Sequence, residues 1–262
     1  MDILALTIFP ELFSPFWEHG IIKRAIDANK ITASALNIRD FAKDRHHSTD
    51  DRPYGGGSGM VMLPGPLALS IQKARAAVRD ARTVLLTPQG EVFDQKKAVE
   101  LSHEKGLILI CGRYEGVDER ICQDFIDEEI SIGDFVLTGG ELAAMVVIEA
   151  VIRHIPGVLG GSDSAEKDSF NDGLLEHAHY TRPRNFMGNP VPDVLTNGNH
   201  KDIEQWRIES ALIRTFLKRQ DLLKNRTLSQ QEINILKKWC SDIESIIKAQ
   251  SVFGVGALPC DQ

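Results

Sequence analysis

The chain has 262 residues, of which 42% are hydrophobic and 26% charged, so it contains enough apolar material for the core of a globular protein. No apolar run approaches the ~20 residues of a transmembrane helix and the N-terminus lacks the basic region of a signal peptide, so we expect a cytoplasmic protein with no membrane association. The formal net charge of −7 excludes nucleic-acid binding over the whole surface, and four cysteines without a CxxC pair disfavour a zinc or disulfide framework.

The first 160 residues have the pattern of an α/β domain. Apolar, β-branched runs predict strands at 3–9, 31–38, 83–86, 107–111 and 128–132. Helical patterns lie between them, at roughly 14–28, 66–80, 94–104 and 117–126. This alternation predicts a mainly parallel sheet with helices on both faces. The segment 139–155 is apolar nearly all round, and we expect a buried helix that ends before Pro156.

The composition changes after Gly160. Residues 161–171 are rich in Gly, Ser and Asp, and predict a flexible interdomain linker. Residues 172–250 predict a small helical domain, and 251–262 a loose tail. The last helix of the predicted helical domain should begin at a capping box formed by Ser229 and Glu232. One stripe of that helix is expected to pack, through Ile233, Leu236, Cys240, Ile243 and Ile247.

Three Gly- or Pro-containing loops follow three of the predicted strands. They are TPQG after 83–86, CGRYEG after 107–110, and IGDFVLTGGE after 128–131. Ligands of open α/β sheets bind at the carboxyl ends of strands, and glycine lets the backbone approach a ligand closely. The pattern therefore favours a composite ligand site, with ordinary turns as the alternative. Acidic residues near Glu115 disfavour a polyphosphate and would suit a positively charged nucleoside.

The segment 39–60 is the most polar part of the chain. Its GGGSG run (55–59) resembles a phosphate loop, but no GK[ST] follows, and the GxGxxG spacing of dinucleotide sites is missing. Its His and Asp residues lack the helical spacing of metal ligands. A solvated loop and recognition of an anionic macromolecule through arginine stay open as explanations.

Two polar residues have no assignment from spacing alone. Arg153 lies near the end of an apolar helix, which suggests either a structural ion pair or an anionic ligand. Asp168 is a loop aspartate, most often a cap or a turn residue.

Seven motifs together closely resemble the bacterial tRNA (guanine-N1)-methyltransferase family. They are DDRPYGGGSGM (50–60), TPQG (87–90), LILICGRYEGVDERI (107–121), DEEISIGDFVLTGGE (127–141), IPGVLG (155–160), KDSFNDGLLEHAHYTRP (167–183) and LTNGNH (195–200). The resemblance covers about residues 1–225. It implies a SPOUT-type, trefoil-knotted α/β domain plus a small C-terminal helical domain that binds tRNA. It also implies methylation of N1 of the guanosine immediately 3′ of the anticodon.

The resemblance places S-adenosylmethionine on the three loops. The implied cofactor-binding residues are Leu86, Thr87, Pro88, Gln89, Gly112, Tyr114, Glu115, Gly116, Ile132, Gly133, Asp134, Phe135, Val136, Leu137, Gly139 and Gly140. Leu85 and Phe135 stand where some members carry Tyr.

The resemblance also implies catalytic roles and partners. Asp168 matches the family's proposed general base, and Arg153 matches the residue that would stabilise charge on guanine O6. It implies a homodimer with a tRNA site built from both subunits, and dependence on Mg²⁺, for which Glu115 is the candidate ligand. The linker would order over the cofactor when tRNA docks.

Three alternatives remain open on the sequence. The first is another SPOUT methyltransferase acting on ribose or on ribosomal RNA, which the KDSFNDG motif disfavours. The second is an RNA-binding module without enzymatic activity. The third is a Rossmann oxidoreductase, which the missing fingerprint disfavours.

Overall fold

A computed structural model of the chain describes residues 1–160 and 168–252, with side chains as far as residue 248. The chain divides into two compact units, which fall within residues 1–166 and 167–262. Residues 161–167 of the predicted linker, and 253–262 of the predicted tail, lie outside the described residues. None of the described helices is both long and apolar enough to cross a membrane.

The first unit is an α/β structure. Its strands are β1 (Asp2–Thr7), β2 (Thr32–Asn37), β3 (Asp50–Asp51), β4 (Val61–Met62), β5 (Ala81–Val92), β6 (Gly106–Cys111) and β7 (Glu128–Ser131). Its helices are α1 (Ser14–Trp17), α2 (Gly20–Asp27), α3 (Pro64–Ala77), α4 (Gln95–Ser102), α5 (Glu119–Phe125) and α6 (Glu141–Ile152). Five strands form a sheet in the order β2-β1-β6-β5-β7, and every pairing in it is parallel. The predicted α/β class with a parallel sheet is confirmed.

Apolar side chains cover both faces of the sheet. Strand β6 lies in the middle, and all six of its residues are buried. Along β1, Ile3 and Ala5 join a cluster formed with α2, α4 and α6. Leu4 and Leu6 point to the opposite cluster, formed with α3 and α5. Burial of each large side chain contributes about 1.5–3 kcal/mol, so the sheet is a rigid support for the loops at its edge.

Two helix predictions were wrong in detail. The predicted helix 14–28 is interrupted between α1 and α2, where Gly20 has a φ of +66°, a conformation that glycine adopts readily. Helix α6 is not buried all round, because Leu142 is 61% exposed and Val146 is 47% exposed. These two side chains lie four residues apart, so α6 carries an uncovered apolar stripe.

The second unit contains a short hairpin, β8 (Asn185–Phe186) with β9 (Asn189–Pro190), and the helices α7 (His200–Lys218), α8 (Gln220–Lys224) and α9 (Gln230–Val252). The capping box of α9 is confirmed. The backbone N–H of Ser229 donates to Glu232 Oε2 at 2.7 Å, and that of Glu232 donates to Ser229 Oγ at 3.3 Å. The predicted packing stripe was wrong from its third member onward, since Cys240 is exposed and Ile243 and Ile247 are 56% and 59% exposed. Among residues 230–248 of α9, whose side chains the structure describes, the buried ones lie in the first turns, where the helix packs against α7.

Candidate functional site

A cavity of about 300 Å³ opens beside the carboxyl ends of β6 and β7 and the middle of β5. Three segments line it: 85–89 from β5, 112–117 with Glu119 after β6, and 129–133 with 135–140 around the end of β7. Cys122 and Ala143 also belong to the lining. This is the edge at which parallel α/β sheets bind ligands. The three loops singled out in the sequence therefore meet in one place.

The first segment is a bulge inside β5 and not the loop that the sequence predicts. Leu86 and Glu91 both pair with Ile130, so residues 87–90 leave the sheet and the strand then resumes. Gly90 makes this excursion possible, because a Cβ at this position would lie 2.4 Å from the backbone nitrogen of Ile130. The bulge turns the backbone and side chains of Thr87, Pro88 and Gln89 into the cavity wall.

The second segment is a tight turn held from outside by the β3–β4 hairpin. Tyr114 has a φ of +61° and Gly116 one of +123°, both in the left-handed region. The N–H of Glu115 donates to the carbonyl of Met60 at 3.0 Å, and the N–H of Met62 to the carbonyl of Gly116 at 2.9 Å. These bonds occupy the outer edge of the turn. The inner edge faces the cavity.

The third segment crosses back over the second. Gly140 donates its N–H to the carbonyl of Gly112 at 2.8 Å, and the backbones of Arg113 and Gly139 pair as a single antiparallel β-bridge. A Cβ on Gly140 would lie 2.8 Å from Cys111 Cα and 3.1 Å from the nitrogen of Gly112. Only glycine allows this approach without displacing the backbone. The same segment presents apolar side chains that are partly exposed at the cavity, namely Phe135, Val136 and Leu137.

A buried ion pair holds Arg113, which is the one basic residue of the cavity wall among the residues that the structure describes. The Arg113 Nε lies 3.0 Å from Glu141 Oε2, a terminal nitrogen of the same guanidinium lies 2.9 Å from that oxygen, and Thr7 donates its hydroxyl to Glu141 Oε1 at 2.7 Å. Glu141 is only 1% exposed. The guanidinium also lies 4.5 Å from the ring centroid of Phe9. Sequence reasoning missed this pair, and only the acid at the start of an apolar helix hinted at it.

The chemistry of the wall suits a cationic nucleoside. Glycines at 112, 116, 133, 139 and 140 form part of the lining, and three acidic residues, Glu115, Glu119 and Glu129, belong to it as well. Because Glu141 already neutralises Arg113, the remaining acidic residues give the cavity wall a net negative charge. A polyphosphate would meet these carboxylates, whereas a positive charge would be stabilised by them.

Cys122 provides a test of this environment. Burial, followed by the nearby carboxylates of Glu129 and Glu119, raises the pKa of its thiol to about 11, and burial raises the pKa of Cys111 still further from its usual range. At pH 8 about one Cys122 thiol in a thousand is then ionised, and the thiolate is the reactive form.

Among the three cysteines in the described residues, we expect iodoacetamide at pH 8 to label the exposed Cys240 first, Cys122 far more slowly, and Cys111 only after unfolding. Mass spectrometry of timed digests measures the three rates. Raising the pH towards 11 should accelerate Cys122 selectively. Equal rates for Cys122 and Cys240 at pH 8 would contradict the placement of Cys122 among carboxylates.

The polar segment 39–60 forms a loop and the β3–β4 hairpin. Within the loop, Asp44 accepts hydrogen bonds from Ser48 and from the N–H of His46, and these bonds lower the pKa of its carboxyl. The glycine run lies at the hairpin tip beside Tyr54, which is fully exposed. In the part of the chain that the structure describes, the histidines of this loop belong to no group of three potential metal ligands.

The structure brings most of the predicted cofactor-binding residues together, whereas the two predicted catalytic residues belong to different units. All the predicted cofactor-binding residues line the cavity except Asp134, which the lining does not include. Arg153 ends α6 in the first unit, and Asp168 begins the described part of the second. The candidate metal ligand Glu115 lies in the cavity wall beside Gly59, but among residues 1–160 and 168–248 it joins no convergent group of three ligand side chains.

Comparison with known proteins gives a consistent family. A family model described as tRNA (Guanine-1)-methyltransferase TrmD matches residues 1–225. A protein named tRNA (guanine-N(1)-)-methyltransferase from Desulfatibacillum aliphaticivorans is 52% identical over 258 residues, which cover 98% of each chain. Proteins of the same name from Carboxydothermus hydrogenoformans and Bacillus cereus strain G9842 are 54% and 49% identical. They cover 88% and 93% of this chain, and 91% and 99% of their own.

Proposed function

Because the chain belongs to the tRNA (guanine-N1)-methyltransferase family, we propose that it transfers a methyl group from S-adenosylmethionine to N1 of the guanosine immediately 3′ of the anticodon. The observation that carries the cofactor assignment is the cavity between the β5 bulge and the carboxyl ends of β6 and β7, where glycine permits close backbone approaches. Family membership carries the tRNA and the guanine.

The residues of the cavity fit the proposed cofactor. Backbone groups of the three segments would bond the adenine and the ribose, and the apolar side chains of Phe135, Val136 and Leu137 would cover the ring. Carboxylates in the wall suit the positive sulfur of this donor. S-adenosylmethionine supplies, when bound, an electrophilic methyl group on a sulfonium.

The chain's own residues would activate the acceptor. Guanine N1 carries a proton and is a poor nucleophile, so a base must remove that proton. We assign this role to Asp168, whose carboxylate can accept it. The charge that develops delocalises to O6, where the guanidinium of Arg153 would stabilise it and orient the base. The target base would have to be splayed from its neighbours to reach the cavity.

We further propose that the fold is the trefoil knot of the SPOUT class. Two features support the proposal: the third segment crosses over the second with a bond from Gly140 to Gly112, and β5 lies between β6 and β7. A threaded chain is rare among proteins, and strand and helix periodicity does not predict one.

A homodimer is the proposed assembly, in which Asp168 of the partner subunit would act at the cavity of this subunit. The uncovered stripe on α6 supports this arrangement. Leu142 and Val146 are exposed there, four residues apart. Arg153 follows seven residues after Val146, which places it at the end of the same side of the helix. A dimer formed through this stripe would bury apolar surface next to a proposed catalytic residue.

The second unit is the proposed tRNA-binding domain, and we infer that the enzyme acts in the cytoplasm on the tRNA there. The basic side chains of α7 offer partial support. Arg207 pairs with Glu204, Arg219 with Asp221, and Arg214 donates to the carbonyl of Glu176. Lys218 is exposed. Steering of the anticodon stem would therefore depend on fewer charges than the sequence suggests.

The Mg²⁺ dependence implied by the family resemblance finds no convergent ligand set at Glu115 among the described residues. We therefore derive no step through this ion.

Titration calorimetry with S-adenosylmethionine tests the cofactor assignment. We expect saturable binding to the wild type and affinity reduced by about ten-fold or more in Gly140→Ala, because the added Cβ overpacks against Cys111 and Gly112. Gly65→Ala is the matched control, since nothing lies within 4 Å of a Cβ there. Binding that Gly140→Ala leaves unchanged, or a folded wild type that takes up no cofactor, would contradict the assignment.

A further inference from the structure

A second cluster of polar side chains lies in the second unit, outside the cavity. Glu176, His177 and His179 each present one potential ligand atom, and these atoms all lie within 4.8 Å of one another. Glu176 and His177 are partly buried, and His179 is exposed. In the described part of the chain this is the one group of three such residues that could hold a metal ion. Nothing in the proposed methyl transfer uses it.

The backbone that carries these side chains is held in place on both sides. The N–H groups of Leu175 and Ala178 donate to hydroxyls of α7, and the carbonyl of Glu176 accepts from a guanidinium of the same helix. The anchors on α7 are Thr215 (2.9 Å), Ser210 (3.0 Å) and Arg214 (3.1 Å). The N–H of Glu176 also donates to Ser169 Oγ at 3.0 Å. The segment is thus a rigid support, as a preorganised ligand site requires.

Hydrogen bonding also fixes the form of one imidazole. The Nδ1 of His177 lies 3.2 Å from the carbonyl oxygen of Ala178, which can only accept. Nδ1 must therefore carry the proton, which leaves Nε2 with a free lone pair. This is the arrangement that outer-shell carbonyls impose on metal-binding histidines. The ring stays oriented because it packs against His179 and Trp206, at centroid distances of 4.5 and 6.2 Å.

The other two groups already form a contact that a cation could replace. His179 Nε2 lies 2.9 Å from Glu176 Oε1. A proton or a metal ion can hold these two atoms together. Ligands of a tetrahedral ion with bonds of about 2.0–2.1 Å are about 3.4 Å apart. The 2.9 Å contact between His179 and Glu176 therefore has to lengthen slightly, and separations of up to 4.8 Å within the group have to shorten. Rotation of the exposed His179 side chain can supply this movement.

We propose that Glu176, His177 and His179 bind a divalent transition-metal ion, and that Zn²⁺ is the preferred ion. Two imidazoles and one carboxylate form a three-ligand set that leaves a fourth position for water. Nitrogen donors favour Zn²⁺, Co²⁺ or Ni²⁺ over Mg²⁺, which prefers oxygen ligands. The site is separate from the cavity residues and does not depend on the proposed function.

Cobalt and zinc titrations of the full chain test this proposal. After treatment with a chelator, we expect one equivalent of Co²⁺ to give a visible absorption band of low-coordinate cobalt, and Zn²⁺ to abolish it. The variants His177→Ala and Glu176→Gln should weaken binding by about 10- to 100-fold or more. The matched controls His103→Ala and Cys240→Ser should bind as the wild type does, because both residues are exposed and lie outside the cluster.

Protection from chemical modification in the wild type provides a test that needs no variant to fold. Zn²⁺ should protect His177 and His179 from diethyl pyrocarbonate, as read by mass spectrometry, while His103 stays reactive. Titrations that do not saturate at one equivalent, equal competition by Mg²⁺, or binding that survives His177→Ala would each overturn the proposal. Equal labelling with and without Zn²⁺ would do the same.

Discussion

Asp168→Asn is expected to lower the rate of methyl transfer by about 10²- to 10⁴-fold, the usual contribution of a positioned general base. Asparagine matches the shape of aspartate, but its amide cannot accept the N1 proton. The affinity for S-adenosylmethionine should not change, because Asp168 is not among the residues that line the cavity. Single-turnover transfer from the labelled cofactor to a tRNA transcript measures the rate, and calorimetry measures the affinity.

Asp172→Asn is the matched control for this prediction. Asp172 is an exposed acid four residues along the same segment, and its replacement removes the same charge. We expect it to keep the wild-type rate. If both variants slowed transfer equally, the acids would act through the charge of the segment and not through proton removal. A fully active Asp168→Asn would remove Asp168 from the mechanism.

The second large effect is expected in stability. Glu141→Ala should lower the free energy of unfolding by about 3–5 kcal/mol, because it leaves the guanidinium of Arg113 without its partner in a largely buried position. The side chain of Arg113 is 19% exposed, and that of Glu141 is 2% exposed. The Thr7 hydroxyl would lose its acceptor as well. Urea unfolding followed by circular dichroism gives the difference.

Two further variants define the cause of that loss. Glu149→Ala removes an exposed carboxylate from the same helix, and we expect little change. Glu141→Gln keeps an acceptor for Thr7 and Arg113 but removes the charge, so its effect should be intermediate. A loss of stability as large for Glu149→Ala as for Glu141→Ala would show that helix α6, and not the ion pair, is what the substitution damages.

The spacing of apolar residues predicted the strands and helices, because burial against a sheet or a helix requires apolar side chains at regular positions. Strand β6 is buried on both faces and reads as an unbroken apolar run, LILIC. The bulge at 87–90 leaves no such mark, since it depends on Gly90 passing the backbone of Ile130. The exposed stripe on α6 was missed for a similar reason: apolar residues on every side of a helix do not reveal which side is left uncovered.

Some features of the candidate site could also be predicted from the sequence, and others could not. Glycines and prolines after three apolar runs indicated a ligand site, because parallel strands bring their carboxyl ends to one edge. The first of these runs continues past its bulge, so the first segment lies within β5 and not after it. The Arg113–Glu141 pair joins residues from two elements, and no local pattern encodes it. No feature of the neighbouring sequence distinguishes Asp168 from a turn residue, so its proposed role rests on the family resemblance. The β3–β4 hairpin that supports Glu115 was likewise not predicted.

We propose that this enzyme methylates N1 of one guanine in tRNA, the guanine immediately 3′ of the anticodon. Two tRNA transcripts that differ only in carrying G or A immediately 3′ of the anticodon should be incubated with the protein and labelled S-adenosylmethionine, then digested for identification of the modified nucleoside. We predict 1-methylguanosine from the first transcript and no label in the second. Equal labelling of both transcripts, a methyl group on ribose, or folded protein that transfers no methyl group to either would contradict the account.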